Sequence, residues 1–276
     1  MKVSRIRSKE QATRSIAFLK ENGSCNLYLY EGLALNSPHH HNLFFYDRGE
    51  ICGLLHTKSG ISVHILLAGS VPGDAVSGIL KAVLRRFGGL RSYFGDYGSI
   101  LRLASEKRAG QVSLRKYYFM VTEEDSFTPR VLFGGVVPRS DDASLILPLQ
   151  RQYEIEEMEV DPTLLDPERI EAALSRRIAC GDITAVYEEG KPVAIAGINA
   201  RYSGICQIGS VYVLPAYRRK KYGYSVVSSH VSRLLERYNK VALFVDVNNR
   251  KACHLYEMLG FKKKGMLAQL EESARF

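Results

Sequence analysis

Four cations stand together at Arg218, Arg219, Lys220 and Lys221, between Tyr217 and Tyr222 and just ahead of Gly223 and Tyr224. Val226, Val227, Val231, Leu234 and Leu235 then recur at helical spacing, so the cations open an amphipathic helix over residues 222–238. A helix start leaves backbone N–H groups without internal acceptors and carries the positive end of the helix dipole. With Gly223 permitting close approach, the turn suits an anion the size of a pyrophosphate. The competing reading is a solvated run of charge, and the head of a helix is an unusual place for one.

A second group of chemically able residues follows. The apolar run over residues 241–245 leads to Asn248 and Asn249 in a turn, and Ala252, Leu255, Tyr256 and Leu259 line a short helix closed by Gly260. Tyr256, on the face it shares with Ala252 and Leu259, reads as a core aromatic whose hydroxyl needs a polar partner if buried. Asn248 can contact a ligand, cap the helix behind it, or do both. The strand over residues 204–213 holds no carboxylate. A general base is not readable from it; the candidates elsewhere are Glu157, within the cluster Glu154, Glu156, Glu157 and Glu159, and Asp246, two residues before Asn248 and on the same strand face. The Glu cluster reads equally well as an exposed helix face.

The elements that must position these residues can be read in order. Residues 1–24 suit an amphipathic helix ended near Asn22 and Gly23, and residues 26–31 are a short strand-like or helical run. His39, His40 and His41 fall in a loop with no Cys or carboxylate at ligand spacing, which argues for a solvated loop rather than a metal site. Residues 43–46 and 51–56 flank Asp47, Arg48, Gly49 and Glu50 as a hairpin. A third strand from Ile61 follows, then a helix over residues 76–87 closed at Gly88 and Gly89. Residues 122–126 read as a connection between domains. A helix over residues 142–158 contains Pro148, a residue that breaks or kinks helices. Asp166 and Pro167 start the next helix.

A second hairpin turns at Glu188, Glu189, Gly190 and Lys191, and echoes the first. Tyr46, Gly49 and Glu50 correspond at a constant offset to Tyr187, Gly190 and Lys191. Ser59 and Gly60, like Ser203 and Gly204, precede a third strand and a helix. The pattern indicates a weak internal duplication of one α/β unit. Only the later copy has cations between its third strand and helix. The earlier one has Gly69, Ser70, Val71, Pro72, Gly73 and Asp74 there, so one anion site per chain is expected.

Residues 131–276 resemble a GNAT-superfamily N-acetyltransferase domain. The family's turn, Gln/Arg-x-x-Gly-x-Gly/Ala, is matched at its ends by Arg218 and Gly223, with Lys221 where the first Gly is usual. Its later pattern is matched by Asn248, Ala252, Leu255, Tyr256, Glu257, Gly260 and Phe261. The resemblance implies an α/β (α+β) fold of two GNAT-like domains in tandem. Each would be a central, mostly antiparallel mixed sheet flanked by helices, with splayed strands in the C-terminal copy. Residues 1–125 would be a degenerate copy and residues 126–276 the cofactor-binding one.

The resemblance also implies acetyl-CoA or another acyl-CoA as co-substrate, with no metal. Val211, Tyr212 and Val213 would hold the pantetheine arm through their backbone. Arg218, Arg219, Lys220, Lys221, Tyr222, Gly223 and Tyr224 would hold the pyrophosphate, and Asn248, Ala252 and Tyr256 would complete the site. Tyr256 would protonate the leaving thiolate as an amine attacks the thioester directly in a ternary complex. The acceptor expected is a small-molecule or amino-acid-like amine. The alternative is a CoA-binding regulatory protein without turnover. At Lys221, either the turn departs from the glycine conformation or charge compensates for weakened binding.

Composition sets the outer bounds. The 276 residues, 46% hydrophobic and 24% charged, fit one large globular domain or two ordinary ones. The net charge of +9 attracts polyanions, but no zinc-finger spacing or aromatic RNA-binding signature accompanies it, which argues against nucleic acid as the main partner. Five scattered cysteines without a C-x-x-C pair suit buried thiols in a reducing compartment. Residues 1–24 lack a secretory leader's apolar core, and no apolar run approaches the ~20 residues of a membrane span, so a cytoplasmic protein is expected.

Overall fold

The computed structural model describes residues 2–35, 37, 40–47, 49–58, 60, 62–88, 92–107 and 112–272. His39, Arg48, Ser59, Ile61 and Gly89, used in the readings above, lie outside them. Two compact units divide the chain. One is Met1–Phe119 with Phe244–Asn248 and Lys263–Phe276; the other is Met120–Leu243 with Asn249–Lys262. Each is a mixed sheet flanked by helices.

The first unit begins with β1 (Lys2–Arg5), α1 (Lys9–Glu21), α2 (Leu27–Leu35), β2 (His41–Asp47), β3 (Glu50–Thr57) and β4 (Ser62–Leu67). It continues with α3 (Gly73–Arg86), β5 (Ser92–Asp96), α4 (Tyr97–Ser105) and β6 (Val112–Thr122), the last of which crosses into the second unit after Phe119. The second unit holds β7 (Gly135–Val136), α5 (Ala143–Glu156), α6 (Pro167–Ala179), β8 (Ile183–Glu188), β9 (Lys191–Tyr202), β10 (Ile205–Val213) and α7 (Tyr222–Leu235). It then takes the first four residues of β11 (Lys240–Asp246) and all of α8 (Arg250–Met258), while β12 (Lys262–Glu272) belongs to the first unit from Lys263 on.

Several local expectations change. Residues 2–5 are not the start of a helix: they form β1, antiparallel to β2, because the capping box of Ser8 and Gln11 fixes the helix start at Lys9. The run after Asn26 resolves as helix α2, which lies close on β3. A Cβ on Gly32 would stand 2.3 Å from the His56 ring, so only glycine fits. His40 and His41 are not a solvated loop: His41 opens β2, and His40 meets His56 edge to face at 5.1 Å. Helix α5 runs through Pro148 without a break, its Ala143, Ile146 and Leu149 buried against α6 and the sheet. Of the cysteines, Cys180 is exposed while Cys52, Cys206 and Cys253 are buried.

The two units repeat one order: an antiparallel hairpin, a third antiparallel strand, a helical crossover and a parallel fourth strand. In the first unit β2, β3 and β4 are antiparallel neighbours and α3 leads to β5, parallel to β4. In the second, β8, β9 and β10 are antiparallel neighbours and α7 leads to β11, parallel to β10. Sequence dictates these hairpins directly. Glu189 and Gly190 have φ of 50° and 76°, and Ser203 and Gly204 have 47° and 78°. Positive φ at both central residues makes the I′-type turn whose twist matches its strands. Asp166 accepts the N–H groups of Glu168 and Arg169 at the head of α6, with Pro167 in the first helical position.

The core of the second unit sits between α5 and α6 and the sheet. Ile146, Leu149, Leu174, Ile178, Ile183, Ala185, Ile195 and Tyr212 fill it. Tyr212 is the one member of that core that also carries a polar end.

Candidate functional site

Strand β10 supplies the first part of the site. Gly209 pairs with Gly197 and Tyr212 with Ile195, so three steps on β10 oppose two on β9. The extra residue is a β-bulge at Ser210, whose φ is +50°. On the other side, parallel pairing with β11 runs from Ile205↔Lys240 to Ile208↔Leu243. Val211 and Val213 are half-buried, and Tyr212 points the opposite way and is buried.

The basic turn follows. Residues Pro215–Tyr217 form one turn of 3₁₀ helix, and Arg218 is extended with φ −65° and ψ 152°. Arg219 and Lys221 then both adopt left-handed backbone, with φ of 64° and 68°. Lys221 is the N-cap of α7 and makes no side-chain cap. The N–H groups of the first helical turn thus have neither an intrahelical acceptor nor a capping side chain. Two non-glycine residues at positive φ within three positions cost about 1–2 kcal/mol each. Such strain gathers at ligand clamps, and turns of this kind bring successive N–H groups toward one point.

Lys221 therefore holds the backbone form that favours glycine, at the position where the family pattern has one. Gly223 is needed for another reason. A Cβ there would lie 3.2 Å from Cδ1 of Leu255 and 3.8 Å from Cγ2 of Val213, so it lets the head of α7 settle on α8.

The side chains of the turn divide by what they touch. Tyr222 is buried, stacks on Phe133 at 4.3 Å and 11°, meets Tyr217 edge-on at 5.5 Å, and hydrogen-bonds Glu188 through its hydroxyl. Only its backbone N–H is left for a ligand. Arg219, Lys220 and Lys221 are exposed, with Lys220 Nζ 5.5 Å from the Tyr217 ring centroid, and Tyr224 is half-buried. Arg218 is committed elsewhere: Nε donates to the carbonyl of Val213 at 3.0 Å and Nη2 to Glu156 at 2.6 Å.

Helix α8 carries the third part. Its N-cap is Asn249, not Asn248: the Asn249 side chain accepts the N–H of Ala252 at 3.1 Å. The Asn248 N–H instead goes to Oδ1 of Asp246 at 2.7 Å, a local turn that occupies that carboxylate. Tyr256 is buried and meets Phe261 edge-on at 5.7 Å. Burial, with Tyr153, Glu157 and Cys253 nearby, holds its phenol well above the usual tyrosine range, so it stays protonated at neutral pH. Glu157 is the C-cap of α5 and Ala252 is half-buried on α8.

The second unit thus contains Val211–Val213, residues 218–224, Ala252, Tyr256 and Glu157, whereas Asp246 and Asn248 belong to the first. Glu156 was not separable from its neighbours in sequence. Its partner Arg218 lies 62 positions away, and nothing local marks which glutamate of the cluster turns toward it. Among the described residues no group of three His, Cys, Asp or Glu could hold a metal ion. None of the described helices is long and apolar enough to cross a membrane.

Comparison with known proteins bears on both halves. Residues 146–261 match the model of the acetyltransferase (GNAT) family. No curated protein matches the sequence. Among solved structures, an acetyltransferase from GNAT family of Colwellia psychrerythraea is similar over 99% of this chain and 100% of its own, with 10% identity and a TM-score of 0.67. A tandem GNAT protein from the clavulanic acid biosynthesis pathway is similar over 100% and 99%, with 10% identity and a TM-score of 0.62. A GCN5-related N-acetyltransferase from Sphaerobacter thermophilus is similar over 85% and 80%, with 15% identity and a TM-score of 0.61. At these identities the likeness is one of fold, and for the tandem protein it covers the whole of this chain.

Proposed function

We propose, from residues 146–261 that match the GNAT family model and a fold similar to that of a tandem GNAT protein, that the chain is an acyl-CoA-dependent N-acyltransferase. The observation that carries this reading is the turn before α7. Arg219 and Lys221 hold left-handed backbone there, next to uncapped helical N–H groups. That arrangement suits a pyrophosphate.

In this reading the donor's phosphates lie at the N–H groups of residues 219–224, with Arg218, Arg219, Lys220 and Lys221 supplying charge. Its pantetheine arm runs along β10 at Val211, Tyr212 and Val213. A neutral amine attacks the thioester carbonyl; the new C–N bond forms as the C–S bond breaks. Tyr256 gives its proton to the departing sulfur, and the attacking nitrogen loses one to a base, for which Glu157 and Asp246 are the candidates. The phenol is protonated at neutral pH, so a proton is available there for the departing sulfur. Glu157 lies close enough to Tyr256 to raise its pKa, whereas Asp246 already accepts the Asn248 N–H. Asn248 and Ala252 complete the donor contacts. The acceptor is a small-molecule or amino-acid-like amine, and the protein works in the cytoplasm.

The test is thiol release from acetyl-CoA with a panel of small amines and amino acids, alongside calorimetric titration with CoA. Binding with amine-dependent thiol release supports the reading. Binding without release across the panel favours a CoA-binding regulator, and no binding removes the donor-site assignment.

A further inference from the structure

Glu156, the last residue of α5, sits where the phosphate turn, β10 and the helix before them meet. One of its oxygens accepts the Tyr212 hydroxyl at 2.8 Å and the other accepts Nη2 of Arg218 at 2.6 Å. The same guanidinium donates through Nε to the Val213 carbonyl and lies 5.3 Å from the centroid of the Tyr212 ring. Arg218 is thus neutralised and tied down by a carboxylate of its own chain, at the position from which it would meet the donor's phosphates.

We infer that Glu156 is a positioning residue that occupies Arg218 in the free protein and yields it when a phosphate of the acyl donor arrives. The inference rests on the donor site proposed above. Three features make the exchange feasible. The ion pair is part-exposed, with side-chain exposures of 44% for Arg218 and 32% for Glu156, so it shifts an equilibrium by no more than about fivefold. A pyrophosphate offers more charge and more acceptor oxygens than one carboxylate, and guanidinium matches both. The Nε bond to Val213 can persist through the exchange and keep Arg218 at the turn.

The consequence reaches the other end of the site. The same last turn of α5 carries Tyr153 and Glu157, both close enough to act electrostatically on the Tyr256 phenol. Occupation of the phosphate turn therefore changes what holds the segment facing the proposed acid. Burial and the bond to Glu156 raise the Tyr212 phenol to about 12, so it remains a hydrogen-bond donor to Glu156 after Arg218 leaves.

The sign of one measurement decides this. CoA is titrated calorimetrically into the full chain and into Glu156→Gln, Glu156→Asp, Arg218→Ala and the Glu156→Gln/Arg218→Ala double variant. Glu156→Gln keeps an oxygen for Tyr212 but removes the competing charge, so it is expected to bind CoA about two- to fivefold more tightly. That gain should shrink as salt rises, and Glu156→Asp should return affinity toward the wild type. Arg218→Ala should weaken binding by about tenfold, and the double variant should match Arg218→Ala. If Glu156 only propped the turn, Glu156→Gln would weaken CoA binding or leave it unchanged, and either result overturns the inference. Equal tightening in the Arg218→Ala background also overturns it, because the effect would not pass through Arg218. A wild-type chain without affinity for CoA refutes the donor site itself, whereas CoA binding with the wrong sign at Glu156 removes only this inference.

Discussion

Lys221 holds left-handed backbone at the head of α7 with φ 68°, while Gly223, two residues on, lies inside the helix with Leu255 3.2 Å from where its Cβ would be. The residue without a side chain is needed for packing, and the strained position is given to a lysine. Lys221→Gly should therefore relieve strain. Against the 1–2 kcal/mol of a left-handed residue stands about 0.5–1 kcal/mol of added chain entropy. A net gain of up to about 1.5 kcal/mol in denaturant unfolding is expected, with modestly weaker CoA binding from the lost charge. Lys221→Val, which resists positive φ, should lose stability and CoA binding together. If Lys221→Gly unfolds more easily than the wild type, the strain assignment is wrong.

Tyr256 should be separable from donor binding. Tyr256→Phe keeps the ring against Phe261 and removes only the hydroxyl. Turnover with a productive amine should fall by roughly 10²-fold or more, while the CoA dissociation constant changes little. Since the phenol is held above the usual tyrosine range, wild-type activity should show no alkaline loss from Tyr256 up to about pH 10, the ordinary tyrosine value. Full turnover by Tyr256→Phe would exclude the acid role.

Three histidines, His56 and His230 buried and His64 half-buried, predict an acid-sensitive fold. His56 lies 2.7 Å from Oδ1 of Asn42, and His230 Nδ1 lies 2.8 Å from Oγ1 of Thr184. His64 stacks on Tyr28 at 4.5 Å. Burial lowers all three to about 3, assisted by Lys58 at His56 and His64, by His64 and His40 at His56, and by Arg233 and Arg177 at His230. Above the free histidine value of 6.5 both states are neutral there, and nothing is lost. As pH falls below it, the unfolded chain takes up protons that the folded one refuses, so stability declines progressively toward pH 3. Thermal unfolding between pH 7 and 5, above the carboxylate range, should show a falling Tm, flattened in part by His230→Gln. A Tm constant over that window would contradict the neutral-core assignment.

The last strand is required by the first unit. Leu267, Ala268 and Leu270 of β12 are fully buried, and β12 pairs antiparallel with β5 from Leu267↔Asp96 to Glu271↔Ser92. Gln269 receives the Tyr117 hydroxyl, and Glu272 pairs with Lys107 at 2.5 Å. A chain ending at Phe261 should lose the first unit's cooperative unfolding, read by circular dichroism and proteolysis. Leu270→Ala in the full chain should cost about 2–5 kcal/mol. Unchanged unfolding of the truncated chain would show that β5 does not depend on β12.

What the sequence determined by itself was local. The hairpin turns follow from Glu189–Gly190 and Ser203–Gly204, where backbone preference is decided by two residues. The start of α6 follows from Asp166 and Pro167, the course of β11 from its apolar run, and the head of α7 from its cations and helical stripe. Tertiary structure decided the rest, because those choices are made between segments distant in sequence. Pro148 stays inside α5 because packing against α6 and the sheet outweighs the lost hydrogen bond. β12 pairs with β5 because strand pairing depends on edges and buried faces that carry no local signature. Glu156 meets Arg218 because the end of α5 is carried to the turn by the core around Tyr212, and charge alone could have chosen any glutamate of the cluster. Residue type marked Lys221 as a departure from glycine. Its surroundings alone decided that it would keep the glycine's backbone.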